Sequence, residues 1–319
     1  MILTLTINPA IDRNVRADRL AFEDRGYILD TSESPGGRGI NASRVLHCFG
    51  AKTLAIVTSG GKVGRRFEQL LAKSHFPTEV VPIEDEMRTN LTISDRQGLT
   101  IKLNEFGPTL SQDELHAVHA AVERHLDQAT WLMICGSLPP GVPANFYCAL
   151  VEQARRKGVK TLLDTDGEAL IEGLEAQPAV VTPNQNEAER LLSRALITRN
   201  HFFEAVERIH AMGAEQAIIS LGSRGAVGLC GDSLIEVVPP RVEAVSPIGA
   251  GDALAAAFVW SLDRGDRFRD ALHWGVAAGT ASAMLPGVTF ATLEQAAEVR
   301  KSTEVRQVTR RDTATLSTA

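Results

Sequence analysis

The segment with the clearest chemical potential runs from residue 246 to 258, where a proline and two glycines precede a strongly helix-forming run. We predict that residues 249 to 252 form a loop that opens onto the N-terminus of a helix. Free backbone amides at such a position bind phosphate oxygens and stabilise negative charge that develops there. A carboxylate at the mouth of an anion site could accept a proton from an attacking hydroxyl. The catalytic candidates are Gly249, Ala250, Gly251 and Asp252.

The alternative for Asp252 is that its side chain only caps the helix. A second glycine-rich segment, residues 35 to 44, also precedes a helical pattern. Its glycines would let a ligand approach the backbone, Asn41 could hydrogen-bond hydroxyls, and Arg38 could hold a phosphate through two parallel bonds. The alternative here is a tight turn with Asn41 as helix cap. The chain has neither a G-x-x-x-x-G-K-[ST] loop nor a dinucleotide-binding G-x-G-x-x-G, so any phosphate binding would use these two segments.

Short apolar, β-branched runs alternate with amphipathic stretches along the chain. This pattern predicts the strands and helices that must position these residues. This alternation is typical of a doubly wound α/β domain, with a mostly parallel sheet and helices on both faces. The predicted strands are residues 54 to 57, 131 to 135, 161 to 164, 180 to 182 and 217 to 220. The predicted helices are residues 145 to 157, 186 to 193 and 201 to 212.

Two polar, strand-like segments interrupt the alternation, at residues 13 to 34 and 87 to 105. In the second segment, two apolar runs flank residues 95 to 98, which predicts a β-hairpin. We therefore predict a core of residues 1 to 300 with a small β-sheet lid inserted from these segments. Residues 301 to 319 are rich in Thr, Ser and Arg and predict a flexible C-terminal tail.

Composition narrows the function classes. The chain has 319 residues, 44% hydrophobic and 23% charged, which is ordinary for a globular protein. Its net charge of −6 gives no reason to expect nucleic acid or an anionic membrane as a partner, and no apolar run approaches a membrane span. The four cysteines form no C-x-x-C motif, and His116 and His119 have no evident third ligand, so neither a disulfide framework nor a zinc site is expected. A cytoplasmic location is the expectation.

Six motifs, in order along residues 2 to 300, resemble the ribokinase/PfkB family of carbohydrate kinases, and within it the hexose-phosphate branch. The motifs are N-P-A-I-D from residue 8, G-G-R-G-I-N from 36, G-S-L-P-P-G from 136, P-N-Q-N-E from 183, S-L-G-S-R-G-A from 220 and G-A-G-D from 249. The resemblance implies a ribokinase-like core with a β-sheet lid, and a kinase that uses ATP and Mg²⁺.

The resemblance also implies roles for individual residues. In that family the aspartate of G-A-G-D is the catalytic base and the preceding amides form an anion hole, which gives these roles to Asp252 and residues 249 to 251. Asn184 and Glu187 match an N-x-x-E motif that organises Mg²⁺, so Glu187 would contact the metal indirectly, through water. A helix capping box is the alternative for this pair, and both roles can hold together. The implied substrate-binding residues are Asp12, Arg25, Gly37, Arg38, Asn41 and Arg88. The implied nucleotide-binding residues are Asn184, Ser220, Gly222, Gly225, Gly251 and Gly279.

Some of these positions have simpler readings or depart from the family pattern. Asp12 could be a turn residue, and each arginine taken alone could be a solvated surface charge. Arg25 aligns by spacing with a lid lysine that reaches the site of a neighbouring subunit. Enzymes for fructose 1-phosphate and tagatose 6-phosphate usually have lysine where this chain has Arg38, and the minor 6-phosphofructokinase has glycine.

The resemblance implies phosphorylation of a ketohexose monophosphate, with fructose 1-phosphate to fructose 1,6-bisphosphate as the expected reaction. The phrase K-L-N-E-F-G-P from residue 102 is most similar to the fructose 1-phosphate group. Tagatose 6-phosphate and fructose 6-phosphate are the alternatives within the family. A catalytically silent sugar-phosphate sensor and a Rossmann oxidoreductase are the alternatives of other classes. The open edges of the predicted lid favour a homodimer formed through it.

Overall fold

The computed structural model describes residues 1–21 and 24–308. The described residues form fourteen strands and ten α-helices. The strands are β1 (Ile2–Thr6), β2 (Ala10–Ala17), β3 (Ile28–Gly36), β4 (Thr53–Ser59), β5 (Thr78–Pro82), β6 (Arg88–Ser94), β7 (Thr100–Asn104), β8 (Trp131–Cys135), β9 (Lys160–Asp164), β10 (Val180–Val181), β11 (Gln216–Ser220), β12 (Ala226–Cys230), β13 (Ser233–Val238) and β14 (Glu304–Val308). The helices are α1 (Arg38–Cys48), α2 (Gly61–Leu71), α3 (Gln112–Leu126), α4 (Phe146–Arg156), α5 (Gly167–Glu175), α6 (Gln185–Leu192), α7 (Arg199–Ala211), α8 (Ala250–Asp263), α9 (Phe268–Ala283) and α10 (Leu293–Lys301).

Ten strands form one large sheet in the order β14-β13-β12-β11-β10-β9-β8-β1-β4-β5. The seven strands from β11 to β5 run parallel, and β12, β13 and β14 continue the sheet antiparallel. Neighbouring strand residues face opposite sides, and each side has its own apolar core: Leu132 packs with α3, α4, α5 and α7, whereas Met133 packs with α1, α8 and α9. The predicted doubly wound α/β class is therefore confirmed.

The five strands predicted from apolar runs are β4, β8, β9, β10 and β11, and each observed boundary falls within two residues of the prediction. The three predicted helices are α4, α6 and α7, again within two residues. The apolar residues of these strands and helices are buried, and polar turns flank each element. Their hydrophobic pattern was therefore sufficient to predict their positions.

A second sheet of four strands has the order β3-β2-β6-β7. It comes from the two segments predicted to form a lid, but it begins at Ala10 and includes Gly36, beyond the predicted bounds of 13 to 34. The predicted hairpin is present, since β6 and β7 pair antiparallel on either side of residues 95 to 98. Phe22 and Glu23, inside the first predicted lid segment, lie outside the described residues.

The prediction of a flexible tail from residue 301 is wrong for residues 301 to 308. Lys301 ends α10, and Glu304–Val308 pairs antiparallel with β13. Val308 is buried, and the open edge of β13 gives the backbone of this segment its hydrogen-bond partners. The composition of the segment did not reveal this edge. Residues 309 to 319, the rest of the predicted tail, lie outside the described residues.

Helix α9 packs very closely against α8. A Cβ atom added at Gly279 would lie 2.7 Å from the backbone oxygen of Ala250, and one at Gly275 would lie 2.9 Å from that of Leu254. Only glycine fits at this distance, so the two helices hold the start of α8 in place. Among the described residues, no helix is both long and apolar enough to span a membrane.

Candidate active site

The loop before α8 is shorter than predicted, because the helix already begins at Ala250. Gly249 precedes it with a φ of 79°, a left-handed conformation that favours glycine. The amide of Ala250 donates to the Pro247 carbonyl, and intrahelical bonding starts with Ala253 donating to Gly249. The helix N-terminus therefore leaves the amides of Gly251 and Asp252 open to an anion, whereas the Ala250 amide, one of the three predicted, already has a partner.

Asp252 lies in the first turn of α8, and its carboxylate Oδ2 accepts a hydrogen bond of 2.7 Å from Nδ2 of Asn41. Burial raises the pKa of Asp252 to about 7, and the negative charge of Asp164 adds to this effect. The bond from Asn41 acts in the opposite direction, since it stabilises the charged form. The capping alternative does not hold, because the residue before the helix is Gly249 and no side chain caps it. A carboxylate with this pKa is suited to general-base catalysis near neutral pH.

Asn41 lies within α1 and is buried, so the alternative that it caps this helix is also wrong. The cap position is Gly37, with a φ of 142°. A Cβ atom at Gly37 would lie 2.8 Å from the Thr6 side chain, which explains the glycine at this turn. The Oδ1 atom of Asn41 is buried without a hydrogen-bond partner, next to the carboxylate that its Nδ2 contacts.

Asp12 lies inside β2 rather than in a turn, and its Oδ1 accepts a 2.9 Å bond from Nδ2 of Asn90 on β6. Burial raises the pKa of Asp12, and the nearby positive charges of Arg88 and Arg44 oppose that shift. The negative charge of Asp12 also makes a small contribution to the raised pKa of Asp252. The two carboxylates are therefore within electrostatic reach of each other.

Arg88 is anchored by two backbone carbonyls: Nη2 donates to Asn8 at 2.8 Å and Nη1 to Glu105 at 3.0 Å. Its Nε atom is buried and has no partner. Burial lowers the pKa of this guanidinium, since no carboxylate bonds it directly. A fixed cation with an unused donor is the kind of group that binds a phosphate.

Arg38 does not face the small sheet. Its guanidinium bonds three carboxylates: Nη1 to Asp164 at 2.9 Å, and Nη2 to Asp166 at 3.1 Å and Glu187 at 2.9 Å. The charge of Asp164 is the largest single cause of the raised pKa of Arg38, and Glu187 and Asp166 act in the same direction. In this arrangement the donors of Arg38 are taken by carboxylates, so its expected contact with the sugar phosphate does not match its position.

A cavity of about 150 Å³ lies at the carboxyl ends of β9, β10 and β11. The lining includes six predicted site residues, Arg38, Asn184, Glu187, Ser220, Gly251 and Asp252. The buried hydroxyl of Thr182 also lines it and has no hydrogen-bond partner. Carboxyl ends of parallel strands are where α/β proteins bind their ligands, and the cavity reaches the open amides of α8.

Asn184 and Glu187 form the capping box that was the alternative for this pair. The Asn184 side chain accepts from the Glu187 amide at 3.0 Å, and Glu187 Oε2 accepts from the Asn184 amide at 2.8 Å. Burial raises the pKa of Glu187, while Arg38 opposes the shift. Because Glu187 also lines the cavity, capping and a role at the cavity are compatible.

The other predicted residues take different positions. Ser220 lines the cavity, and Gly222 and Gly225 form the turn just after it. Gly225 is required by packing, because a Cβ atom there would lie 1.9 Å from the Val237 oxygen. Gly279 faces α8 rather than the cavity. Arg25 is exposed in the connection between β2 and β3, and it does not line this cavity.

Sequence reasoning missed Asp164, Asp166, Thr182 and Asn90. A usable signal existed for the two aspartates, because the sequence Asp-Thr-Asp begins at the last residue of the predicted strand β9. Polar residues at the carboxyl end of a buried parallel strand are candidates for ligand binding. Asn90 carried no such signal, since it lies in the middle of an ordinary strand.

An open helix N-terminus with an acidic side chain beside it, at the carboxyl edge of a mostly parallel sheet, is typical of a phosphotransferase of ribokinase-like fold. The chain belongs to the pfkB family of carbohydrate kinases, whose sequence profile matches residues 5–296.

Individual relatives agree with this assignment. The chain is 32% identical over 289 residues to the ATP-dependent 6-phosphofructokinase isozyme 2 of Escherichia coli (strain K12), a match that covers 90% of this chain and 93% of the relative. A structure of the tetrameric inhibited form of phosphofructokinase-2 from Escherichia coli superposes with a TM-score of 0.85 at 30% identity, over 94% of this chain and 98% of that one. An Arabidopsis thaliana ribokinase complexed with ribose and ATP shares the fold, with a TM-score of 0.75 at 19% identity over 94% and 98% of the two chains.

Proposed function

We propose that this protein transfers the γ-phosphoryl group of ATP to a ketohexose monophosphate, with fructose 1-phosphate as the first candidate and fructose 1,6-bisphosphate as its product. The observation that carries the proposal is the pairing of Asp252 with the open amides at the start of α8. A base whose pKa is about 7 lies beside a site that favours phosphate oxygens. Fructose 6-phosphate is the second candidate, because the relative at 32% identity is a 6-phosphofructokinase.

In the proposed reaction, Asp252 accepts the proton of the attacking sugar hydroxyl as the hydroxyl oxygen bonds to the γ-phosphorus of ATP. The bond between that phosphorus and the β,γ-bridging oxygen breaks, and ADP leaves. The Asn41 amide group holds the carboxylate in one orientation throughout. Negative charge that develops on the transferring group is stabilised by the amides of Gly251 and Asp252. The carboxylate therefore acts at the point where two ligands meet, the sugar on one side and the triphosphate on the other.

Unpartnered buried atoms support the binding of a sugar phosphate. The Oδ1 atoms of Asn8, Asn41 and Asn90 lack donors, and hydroxyl groups would supply them. The Nε atom of Arg88 lacks an acceptor, which a phosphate oxygen would supply. We therefore assign Arg88, rather than Arg38, to the phosphate that the sugar already has.

A Mg²⁺ ion would arrive with the nucleotide, since among the described residues no group of three or more His, Cys, Asp or Glu side chains is placed to hold a metal ion by itself. The carboxylates of Asp164, Asp166 and Glu187 are hard oxygen ligands of the kind that Mg²⁺ uses, often through water. Both oxygens of Glu187 already accept hydrogen bonds, one from Arg38 and one from the Asn184 amide, which suits an indirect contact. When bound, the ion would offset the negative charge of the triphosphate.

A coupled assay of ADP release tests the proposal on three substrates: fructose 1-phosphate, fructose 6-phosphate and tagatose 6-phosphate. We expect turnover that requires both ATP and one sugar phosphate, with the highest kcat/KM for fructose 1-phosphate. A higher kcat/KM for fructose 6-phosphate would move the assignment to the second candidate. Absence of turnover on all three would contradict the proposed activity and favour a sugar-phosphate sensor.

The pKa of Asp252 predicts how activity depends on pH. Since the ionised form is the base, kcat/KM should rise with pH and level off above a pKa of about 7. Asn41→Ala removes a hydrogen bond that stabilises the ionised form, so the midpoint of the profile should move to higher pH. The control is Asn145→Ala, an exposed asparagine before α4 without a side-chain cap bond, whose midpoint should stay unchanged. A midpoint that moves to lower pH in Asn41→Ala would contradict the assigned base.

A homodimer through the small sheet is part of the proposal. Its outer strands β3 and β7 have free edges, and the exposed fractions of Ile28 and Leu103 are 65% and 56%. Exposed apolar residues on an open sheet edge favour pairing with a second copy. We expect Leu103→Lys to shift the protein from dimer to monomer in sedimentation velocity. Ile197→Lys is the control, since Ile197 is 77% exposed in the connection between α6 and α7, outside the small sheet. A monomeric wild type would contradict the proposal.

The four cysteines carry free thiols. Free thiols are compatible with the reducing environment of the cytoplasm, which we propose as the location.

A further inference from the structure

The connection from β7 to α3, residues 105 to 111, leads from the small sheet back to the core and begins beside Arg88. Its first residue, Glu105, bonds two consecutive residues of β6. The carbonyl of Glu105 accepts a hydrogen bond from Nη1 of Arg88 at 3.0 Å, and its carboxylate Oε2 accepts one from the backbone amide of Thr89 at 2.8 Å. Glu105 therefore holds both the guanidinium of Arg88 and the backbone next to it.

The main chain on both sides of Glu105 is held in place. The pairing of β6 with β7 ends one residue before it. One residue after it, the Phe106 carbonyl accepts a 3.0 Å bond from Nδ2 of Asn8, and a Cβ atom at Gly107 would lie 2.2 Å from Oδ1 of Asn8. The carboxylate of Glu105 adds a direct link from this constrained segment to the strand on which Arg88 lies.

These bonds determine which donor of Arg88 faces the substrate. Since Nη1 is bonded to the carbonyl of Glu105 and Nη2 to that of Asn8, the orientation of the guanidinium is set. Its Nε atom is buried and has no partner, and a phosphate oxygen would supply the missing acceptor. A guanidinium free to rotate would present this donor to the phosphate only part of the time.

The charge of Glu105 does not explain its position. Arginine is charged at neutral pH whether or not an acid lies nearby, so Arg88 does not need Glu105 in order to stay protonated. A negative charge close to a phosphate site also repels the phosphate. The useful contribution of this side chain is therefore its hydrogen bond to Thr89.

We propose that Glu105 is a positioning residue for phosphate recognition, whose hydrogen bonds hold Arg88 in the orientation that leaves Nε open to the phosphate already on the sugar. The inference rests on the assignment of Arg88 to that phosphate in the proposed function. Glu105 acts through Arg88 and need not touch the substrate. This role also gives a use to the acid of the K-L-N-E-F-G-P segment, which the proposed reaction does not employ.

The test compares Glu105→Ala, which removes the acceptor for the Thr89 amide, with Glu105→Gln, which keeps an oxygen acceptor and removes only the charge. Whichever of the three sugar phosphates has the highest kcat/KM serves as substrate. In Glu105→Ala we expect its KM to rise by about three- to tenfold, the range for one lost hydrogen bond, with kcat and KM for ATP little changed. In Glu105→Gln, KM for the sugar phosphate should equal or fall below the wild-type value.

A double-mutant cycle shows whether Glu105 acts through Arg88. In the Arg88→Met background, Glu105→Ala should cause no further rise in KM. Asp85→Ala is the matched control, because the Asp85 carboxylate accepts a backbone amide of the same connection, that of Thr109 at 3.2 Å, in a bond that does not involve Arg88. Its KM should match the wild type. Glu105 is exposed, so its variants should fold, and their Tm checks this.

The Kd for the same sugar phosphate, from isothermal titration calorimetry without nucleotide, should follow KM, so the inference can be tested even without turnover. It is overturned if Arg88→Met weakens binding and Glu105→Ala does not, or if Glu105→Gln is as impaired as Glu105→Ala. An undiminished effect of Glu105→Ala in the Arg88→Met background would also overturn it. If Arg88→Met leaves binding unchanged, the phosphate assignment is wrong and the inference fails with it, whereas the kinase activity can still stand.

Discussion

Asp252→Asn should lower kcat by about 10²- to 10⁴-fold, because the amide that replaces the carboxylate cannot accept the hydroxyl proton. The side chain keeps its shape, and the anion site at the start of α8 is made of backbone amides that the change leaves in place. KM for the sugar phosphate should therefore change much less than kcat. The measurement is steady-state kinetics with the preferred substrate, compared with Asp263→Asn, an exposed aspartate at the other end of the same helix.

Stability provides an independent check on the same variant. The pKa of Asp252 in the folded protein is about 7, above its value of 3.8 in an unfolded chain. The folded state therefore binds the proton more tightly than the unfolded chain does. As the pH rises from 3.8 to about 7, ionisation of Asp252 lowers the free energy of unfolding. Asp252→Asn removes this cost, so its Tm above pH 7 should equal or exceed that of the wild type. Activity that is unaffected by the substitution would rule out Asp252 as the base, and a lowered Tm would show that the loss of activity reflects damage to the fold.

Gly251→Ala should abolish most phosphoryl transfer while leaving the protein at least as stable. A Cβ atom at Gly251 has no atom within 4 Å and therefore points into the open cavity. Its methyl group would occupy the space that a phosphate must enter to reach the open amides, so we expect kcat/KM to fall by about 10²- to 10³-fold, comparable to the loss of one oxyanion donor. The backbone conformation suits alanine, and the change should stabilise the protein by about 0.4–1 kcal/mol.

Gly279→Ala is the contrasting variant for this prediction. Its new methyl group would lie 2.7 Å from the Ala250 oxygen, so we expect a loss of stability of about 1–3 kcal/mol. Chemical denaturation combined with ADP-release kinetics separates the two cases. If Gly251→Ala retained full activity, the phosphate could not bind at the start of α8, and the site would have to be placed elsewhere in the cavity.

The extent to which the sequence predicts this molecule differs between its parts. The strands of the large sheet were predictable because they are short apolar runs buried on both faces, such as Trp131–Cys135. The terminal strand Glu304–Val308 was not, because its order comes from the free edge of β13, a partner distant in sequence. The residue composition of a segment indicates how much apolar surface that segment can bury. It does not indicate whether a distant strand has a free edge with which the segment can pair.

The candidate active site was also predictable from the sequence only in part. The motif around Asp252 was informative because it occurs together with five other motifs of one family in the same order, and the structure gives this carboxylate a half-buried position in the cavity lining. The orientation of Arg38 was not predictable. Its sequence neighbours resemble a sugar-binding loop, yet its side chain extends toward Asp164 and Glu187, which lie 126 and 149 residues further along the chain. A long flexible side chain takes the direction set by distant charges, and local sequence does not contain that information.

The bond between Asn41 and Asp252 joins two positions 211 residues apart. During synthesis on the ribosome, α1 emerges long before α8, so the half of the protein that would bind sugar exists for a time without its base. A chain interrupted before α8 therefore lacks both the proposed base and the helix N-terminus beside it. The proposed use of ATP requires a chain that is complete through α8.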